Sequence, residues 1–144
     1  MIKIEYPPYK PKIKTENKQE FIFDATRKRW ILLTPEEWVR QNFLQYLIEV
    51  MHYPASLMSV EKEINLGELK KRYDIVVYKN TLPWMVVECK EMDVALNRKV
   101  LDQVLRYNIT LDVPFIVITN GAYCYAFENK NMELKEMEML PNFL

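Results

Sequence analysis

Two strand-like runs, Arg72-Tyr73-Asp74-Ile75-Val76-Val77-Tyr78 and Trp84-Met85-Val86-Val87-Glu88-Cys89-Lys90, flank the break Lys79-Asn80-Thr81-Leu82-Pro83. β-branched and aromatic residues on either side of a short turn leave little besides an antiparallel hairpin. A turn centred on Thr81 sets Val76 opposite Val86 and Asp74 opposite Glu88. Like charges directly opposed, with Cα atoms about 4.5 to 5.5 Å apart, destabilise a strand pair, and a divalent cation removes the conflict. Lys90 follows Glu88 by two residues, so strand period puts it on the same face. The pattern predicts two carboxylates and an ammonium converging at one end of a hairpin. As single positions, Asp74 and Glu88 are equally explained as polar residues at strand ends.

The rest of the chain supplies elements to pack around that hairpin. Pro7, Pro8 and Pro11 mark residues 1–20 as an extended arm. Residues 21–144 then form one domain. Phe21 to Asp24 and Arg29 to Leu33 suit a short hairpin. Thr34-Pro35-Glu36-Glu37 is a helix start, with a Thr cap, Pro at the first position and early acids. Glu37 also has the spacing of a capping box, which accounts for it without any metal. Trp38, Val39, Phe43, Tyr46, Leu47 and Val50 recur at helical spacing, so the helix should reach about His52. A strand is expected over 57–66, closed by a turn at Asn65-Leu66-Gly67, then the Asp74 hairpin, then a helix over 97–111. The Asn120-Gly121 turn joins Pro114–Thr119 to Ala122–Phe127 in a second hairpin. Residues from Met132 onward fit strand or helix. The core order is helix, three strands, helix, two strands: an α/β fold with a central mixed sheet flanked by helices.

Bulk properties narrow the function. With 20 basic and 20 acidic side chains in 144 residues, net charge is zero, so any nucleic-acid contact must be a local patch. Two glycines, Gly67 and Gly121, exclude a glycine-rich phosphate loop. Cys89 and Cys124 lie in apolar runs without metal-ligand spacing and read as reduced, buried thiols. The sequence has no membrane-length apolar stretch and no signal-peptide pattern, and a cytoplasmic protein is expected.

The helix, three-strand, helix, strand order around Asp74 and Glu88-Cys89-Lys90 resembles the PD-(D/E)XK nuclease superfamily and its restriction-endonuclease-like sandwich. Longer phrases narrow the likeness. Pro35-Glu36-Glu37-Trp38-Val39-Arg40-Gln41, Lys71-Arg72-Tyr73-Asp74-Ile75-Val76-Val77-Tyr78, Val87-Glu88-Cys89-Lys90, Gln103-Val104-Leu105-Arg106-Tyr107-Asn108 and Ile118-Thr119-Asn120-Gly121 are similar to the N-terminal nuclease domain of type I restriction enzyme R subunits. The likeness runs over about residues 34–128.

That resemblance implies a Mg²⁺-dependent DNA endonuclease, with Mn²⁺ as a substitute. Asp74 and Glu88 would hold the ion, Glu37 would be an outer or direct ligand, and Lys90 would support the attacking water. Gln103 and Tyr107 match a Gln-x-x-x-Tyr element on the following helix; without the resemblance they are an ordinary i, i+4 pair. Lys71, Arg72 and Arg106 are the candidate nucleic-acid contacts. DNA is the expected partner, joined by helicase motor or specificity subunits, and cutting both strands with one site per chain favours a homodimer. The competing reading is a non-catalytic or assembly-dependent module that binds nucleic acid or protein on the same fold.

Overall fold

A computed structural model describes residues 1–66, 69–109 and 111–144. The turn expected to close at Gly67 therefore lies partly outside the described residues. Among the described residues, ten strands and two α-helices follow in the order β1 (Ile2–Lys3), β2 (Ile13–Glu16), β3 (Gln19–Asp24), β4 (Arg29–Leu32), α1 (Pro35–Glu49), β5 (Met58–Leu66), β6 (Leu69–Lys79), β7 (Leu82–Cys89), α2 (Arg98–Asn108), β8 (Phe115–Thr119), β9 (Tyr123–Lys130) and β10 (Glu133–Met137). The protein is mixed α/β with a sheet core. The main sheet runs β1-β9-β8-β7-β6-β5, with β10 also on β9, while β2-β3-β4 form a separate sheet. The β7–β8 pairing is parallel and the others antiparallel. A parallel neighbour requires a crossover, which α2 provides.

The arm is more ordered than its prolines suggest. Ile2 and Lys3 pair with Cys124 and Tyr123, and the Tyr6 hydroxyl donates to the Gly121 carbonyl at 2.6 Å. Gly121 turns at φ +93°, and a Cβ there would meet Val39 Cγ2 at 3.3 Å. The tail, ambiguous by pattern, is a strand resting on β9.

Helix α1 begins as its sequence dictates, with the Glu37 amide donating to Thr34 Oγ1 at 3.1 Å and Pro35 in its first turn. It ends at Glu49, short of His52. Its buried face is divided: Val39, Phe43, Leu44 and Leu47 pack on Ile75, Val77, Met85 and Val87, whereas Glu37, Arg40 and Gln41 are also buried. The opposite face of the sheet, with Val76, Val86, Ile116 and Ile118, is covered by Val104 and Leu105 of α2 and by Leu111 and Val113. Each helix thus closes one side of the same strands. Burying apolar area at about 25 cal/mol per Å² drives this layering.

Candidate active site

The β6–β7 hairpin keeps Val76 opposite Val86, as expected, by a different route. Its turn is the pair Asn80-Thr81, both at positive φ (53° and 65°), between Lys79 and Leu82. That is one position off a Thr81-centred turn. A register shift between Val77 and Tyr78, which leaves Trp84 as the extra residue, restores the alignment.

Ladder pairing stops at Ile75 and Val87, one residue before Asp74 and Glu88. The Cys89 amide donates to Asp74 Oδ2 at 2.7 Å. A side chain therefore fills the gap where the strands part. Face alternation also breaks here, since Ile75 and Val77 belong to the α1-side core while Tyr73 belongs to the α2-side core. On β5, Val60 pairs with Ile75 and Lys62 with Tyr73, and Glu61 between them sits at φ 54°. A non-glycine residue at positive φ inside a strand is costly backbone of the kind that concentrates at functional sites.

Asp74 is turned toward α1. Its Oδ1 accepts from Arg40 Nη2 at 2.6 Å and from Arg40 Nε at 3.1 Å. The same guanidinium donates to Glu37 Oε1 at 2.5 Å and Glu61 Oε1 at 2.9 Å, and lies 3.3 Å from Glu36 Oε1. Four carboxylates thus share one cation. Burial works against the Arg40 charge, but hydrogen bonding and attraction from Asp74, with Glu37 and Glu61, hold it above the ordinary arginine value. Glu36 is pushed up, by burial first and by the Asp74 charge next. Behind this layer, Arg27 joins Glu37 (2.9 Å) to Asp24 (2.5 Å), and Gln41 donates to both acids at 3.0 and 2.9 Å. Glu37 therefore spends both oxygens on Arg40, Arg27 and Gln41 and not on closing a capping box.

Glu88 is answered from elsewhere. Lys71 Nζ lies 2.8 Å from Glu88 Oε1 and 3.5 Å from Asn108 Oδ1. It also sits 5.1 Å from the Tyr73 ring centre and 5.6 Å from that of Tyr107. Asn108 is pinned by the Tyr73 hydroxyl at 2.5 Å. Lys71 thereby ties the strands to α2. Lys90 follows the end of β7, its amide donating to the Thr119 carbonyl at 2.7 Å. Among the described residues its ammonium makes no ion pair within 4 Å, whereas Asp74 and Glu88 each have one. Gln103 and Tyr107 are exposed on α2 and line, with Arg98, Lys99, Asp102 and Arg106, a groove of about 680 Å³. Arg72 is exposed and lies 3.6 Å from Glu61.

A match spans most of this chain: residues 35–142 fit the family described as the type I restriction enzyme R protein N terminus. The chain belongs to that family. Searches of curated proteins and of solved structures returned no match. Membership in the R-protein N-terminal family assigns the chain to the context of restriction systems. None of the helices described in this R-protein N-terminal domain is long and apolar enough to cross a membrane.

Among the described residues no group of three or more His, Cys, Asp and Glu side chains is arranged around a common metal position. Mg²⁺ needs fewer, being commonly held by one or two carboxylates. Carboxylate oxygens such as those of Asp74 and Glu88 are the donor type that ion takes. Glu88 is engaged through Oε1, and Asp74 Oδ2 accepts one hydrogen bond, so each acid keeps acceptor capacity. The sequence predicts Asp74, Glu88 and Lys90 converging in one pocket, but Asp74 is held by Arg40 of α1 while Glu88 pairs with Lys71 beside Tyr73 and Asn108. The sequence singled out none of Arg40, Arg27, Gln41, Asp24 and Glu61 as site residues. Only Arg40 and Gln41 left a trace, as polar residues among the buried positions of an otherwise amphipathic helix.

Proposed function

We propose that this domain is a Mg²⁺-dependent DNA endonuclease with a restriction-endonuclease-like sandwich fold. The observation that carries the reading is the parting of β6 from β7 at Asp74, with Glu88 and Lys90 on either side of the amide that Asp74 holds. Asp74 and Glu88 would hold the ion. When bound, Mg²⁺ supplies charge neutralisation at the phosphoryl group and lowers the cost of activating the nucleophile. Arg40 aims Asp74 through two hydrogen bonds to its Oδ1, and Glu37 acts behind it as an outer acid. Lys90, a compact cation with no ion-pair partner among the described residues, donates to a non-bridging phosphoryl oxygen whose charge grows as water attacks phosphorus and the P–O bond to the departing strand breaks. Gln103 and Tyr107 line the approach along α2. Lys71, Arg72 and Arg106 meet the backbone phosphates, which gives affinity without sequence reading.

The test is plasmid nicking in Mg²⁺ or Mn²⁺. Asp74→Ala and Lys90→Ala should each lower the rate at least 100-fold with the fold retained by circular dichroism, and equal rates for all three proteins would end the catalytic reading.

One observation favours a second reading. Both acids already have internal counter-ions, Arg40 and Lys71, as a module without catalysis, or one activated only in a larger assembly, would have. That version predicts no cleavage by the isolated domain and recovery only when a motor or specificity subunit is supplied.

A further inference from the structure

The β2-β3-β4 sheet has two unlike faces. On one, Ile22 and Asp24 are fully buried, and Asp24 accepts from Gln41 of α1. Strand register places Lys14, Phe21 and Leu32 in one row on the other face, with Phe23 and Trp30 in the next. Trp30 and Leu32 are 39% and 43% exposed. The rings of Phe23 and Trp30 meet edge to face at 5.4 Å. Lys14 Nζ lies 4.8 Å from the Trp30 centre and 5.9 Å from that of Phe21, and Lys12 Nζ lies 5.8 Å from that of Phe23.

The segment that carries this face is basic. Between Lys10 and Leu32 the chain carries seven basic and three acidic side chains, although its total charge is zero. Asp24 and Arg27 pair internally, which leaves Lys10, Lys12, Lys14, Lys18, Lys28 and Arg29 against Glu16 and Glu20. Glu16 is a surface partner of Lys14 at 3.0 Å, a contact of small worth in water.

We propose that this face binds single-stranded nucleic acid, its bases stacking on Trp30, Phe23 and Phe21 while Lys12 and Lys14 shift from the rings to the phosphates. An apolar protein partner would bury both ammonium groups without a counter-charge, at high cost. A polyanion supplies the counter-charge, and each base supplies a π-face. Duplex DNA hides its base faces and cannot use the rings. The surface is separate from Asp74 and Glu88, so it stands whether or not the domain cleaves DNA.

The experiment measures anisotropy of labelled oligo(dT) and of a blunt hairpin duplex with the full chain in EDTA, where metal-dependent cleavage is suppressed. Oligo(dT) should bind and quench tryptophan emission. Trp30→Ala and Phe23→Ala should each weaken it roughly tenfold, with Trp30→Phe largely restoring it and duplex binding unchanged. Lys12→Gln with Lys14→Gln, surface changes that leave the fold intact, should flatten the salt dependence. Oligo(rU) binding with the same sensitivity would support the proposal and extend it to RNA. Unchanged oligo(dT) affinity in the ring variants would overturn it. So would equal losses on duplex and single strand, or a self-association in sedimentation that Trp30→Ala abolishes.

Discussion

Arg40 concentrates the energetics of the site in one side chain. Its guanidinium is answered by Asp74, Glu37, Glu61 and Glu36. Removing one partner from a buried ion-pair cluster leaves charge uncompensated and costs about 3–5 kcal/mol. Arg40→Met should therefore destabilise the domain by about that amount in urea unfolding. Arg40→Lys should recover only part, since a point charge cannot present a planar fork to four acids. Asp24 sets the acid limb of the stability profile. Burial raises its pKa, but the hydrogen bonds from Arg27 and Gln41 outweigh that and hold it below the ordinary value. A depressed carboxyl stabilises the fold above its unfolded pKa and loses that contribution as pH falls through the folded value. Asp24→Asn should lower Tm clearly at neutral pH and much less in strong acid. Neither Arg40 nor Asp24 was legible as a site residue, because their contacts with Glu36, Glu37 and Arg27 are ordinary local pairs and the distant partners appear only with the fold: Arg40 reaches across 34 residues to Asp74, and Gln41 across 17 to Asp24. Asp74 and Glu88 could be picked out by counting along their strands, but the break in face alternation at Asp74, which turns it toward Arg40, could not.

The β6–β7 hairpin shows how an element can hold register through two irregularities. A two-residue turn with both positions at positive φ is the geometry that matches strand twist, and it favours Asn followed by Gly. Thr81, β-branched at φ 65°, is the wrong residue type for its place. Thr81→Gly should stabilise the domain by about 1 kcal/mol, read as a shift of the urea midpoint with unchanged slope. The break over residues 79–83 and the β-branched, aromatic-rich runs beside it made this hairpin readable, though not which two residues form its turn. The shift at Trp84 was not, because a bulge leaves no compositional mark. The same holds for Glu61, whose positive φ answers to the kink at Asp74 and not to any local preference for a turn. Helix α1 was readable at its start, where Thr34 and Pro35 act locally. It ends early because the Met51 amide reaches back five residues to the Tyr46 carbonyl and His52 turns at φ 58°, before Pro54 is reached.

Across the whole molecule, periodicity exposed the two helices and the strands between them. The order of strands in the main sheet and the docking of both termini on β9 required tertiary contact to appear. Lys71 has consequences at this scale, because it bridges β6, Glu88 and the tyrosine on α2. On the proposed function, a cation held by Glu88 would compete with an amine already paired to that acid, and an amine so released would become available to a phosphodiester. Ion and polyanion then form two arms of one thermodynamic cycle, in which each raises the apparent affinity of the other by the same factor. Mg²⁺ titrations followed by DNA binding should show this reciprocity in wild type. Lys71→Met should bind the ion more tightly in isolation and lose the coupling, so that ion and DNA no longer sense each other.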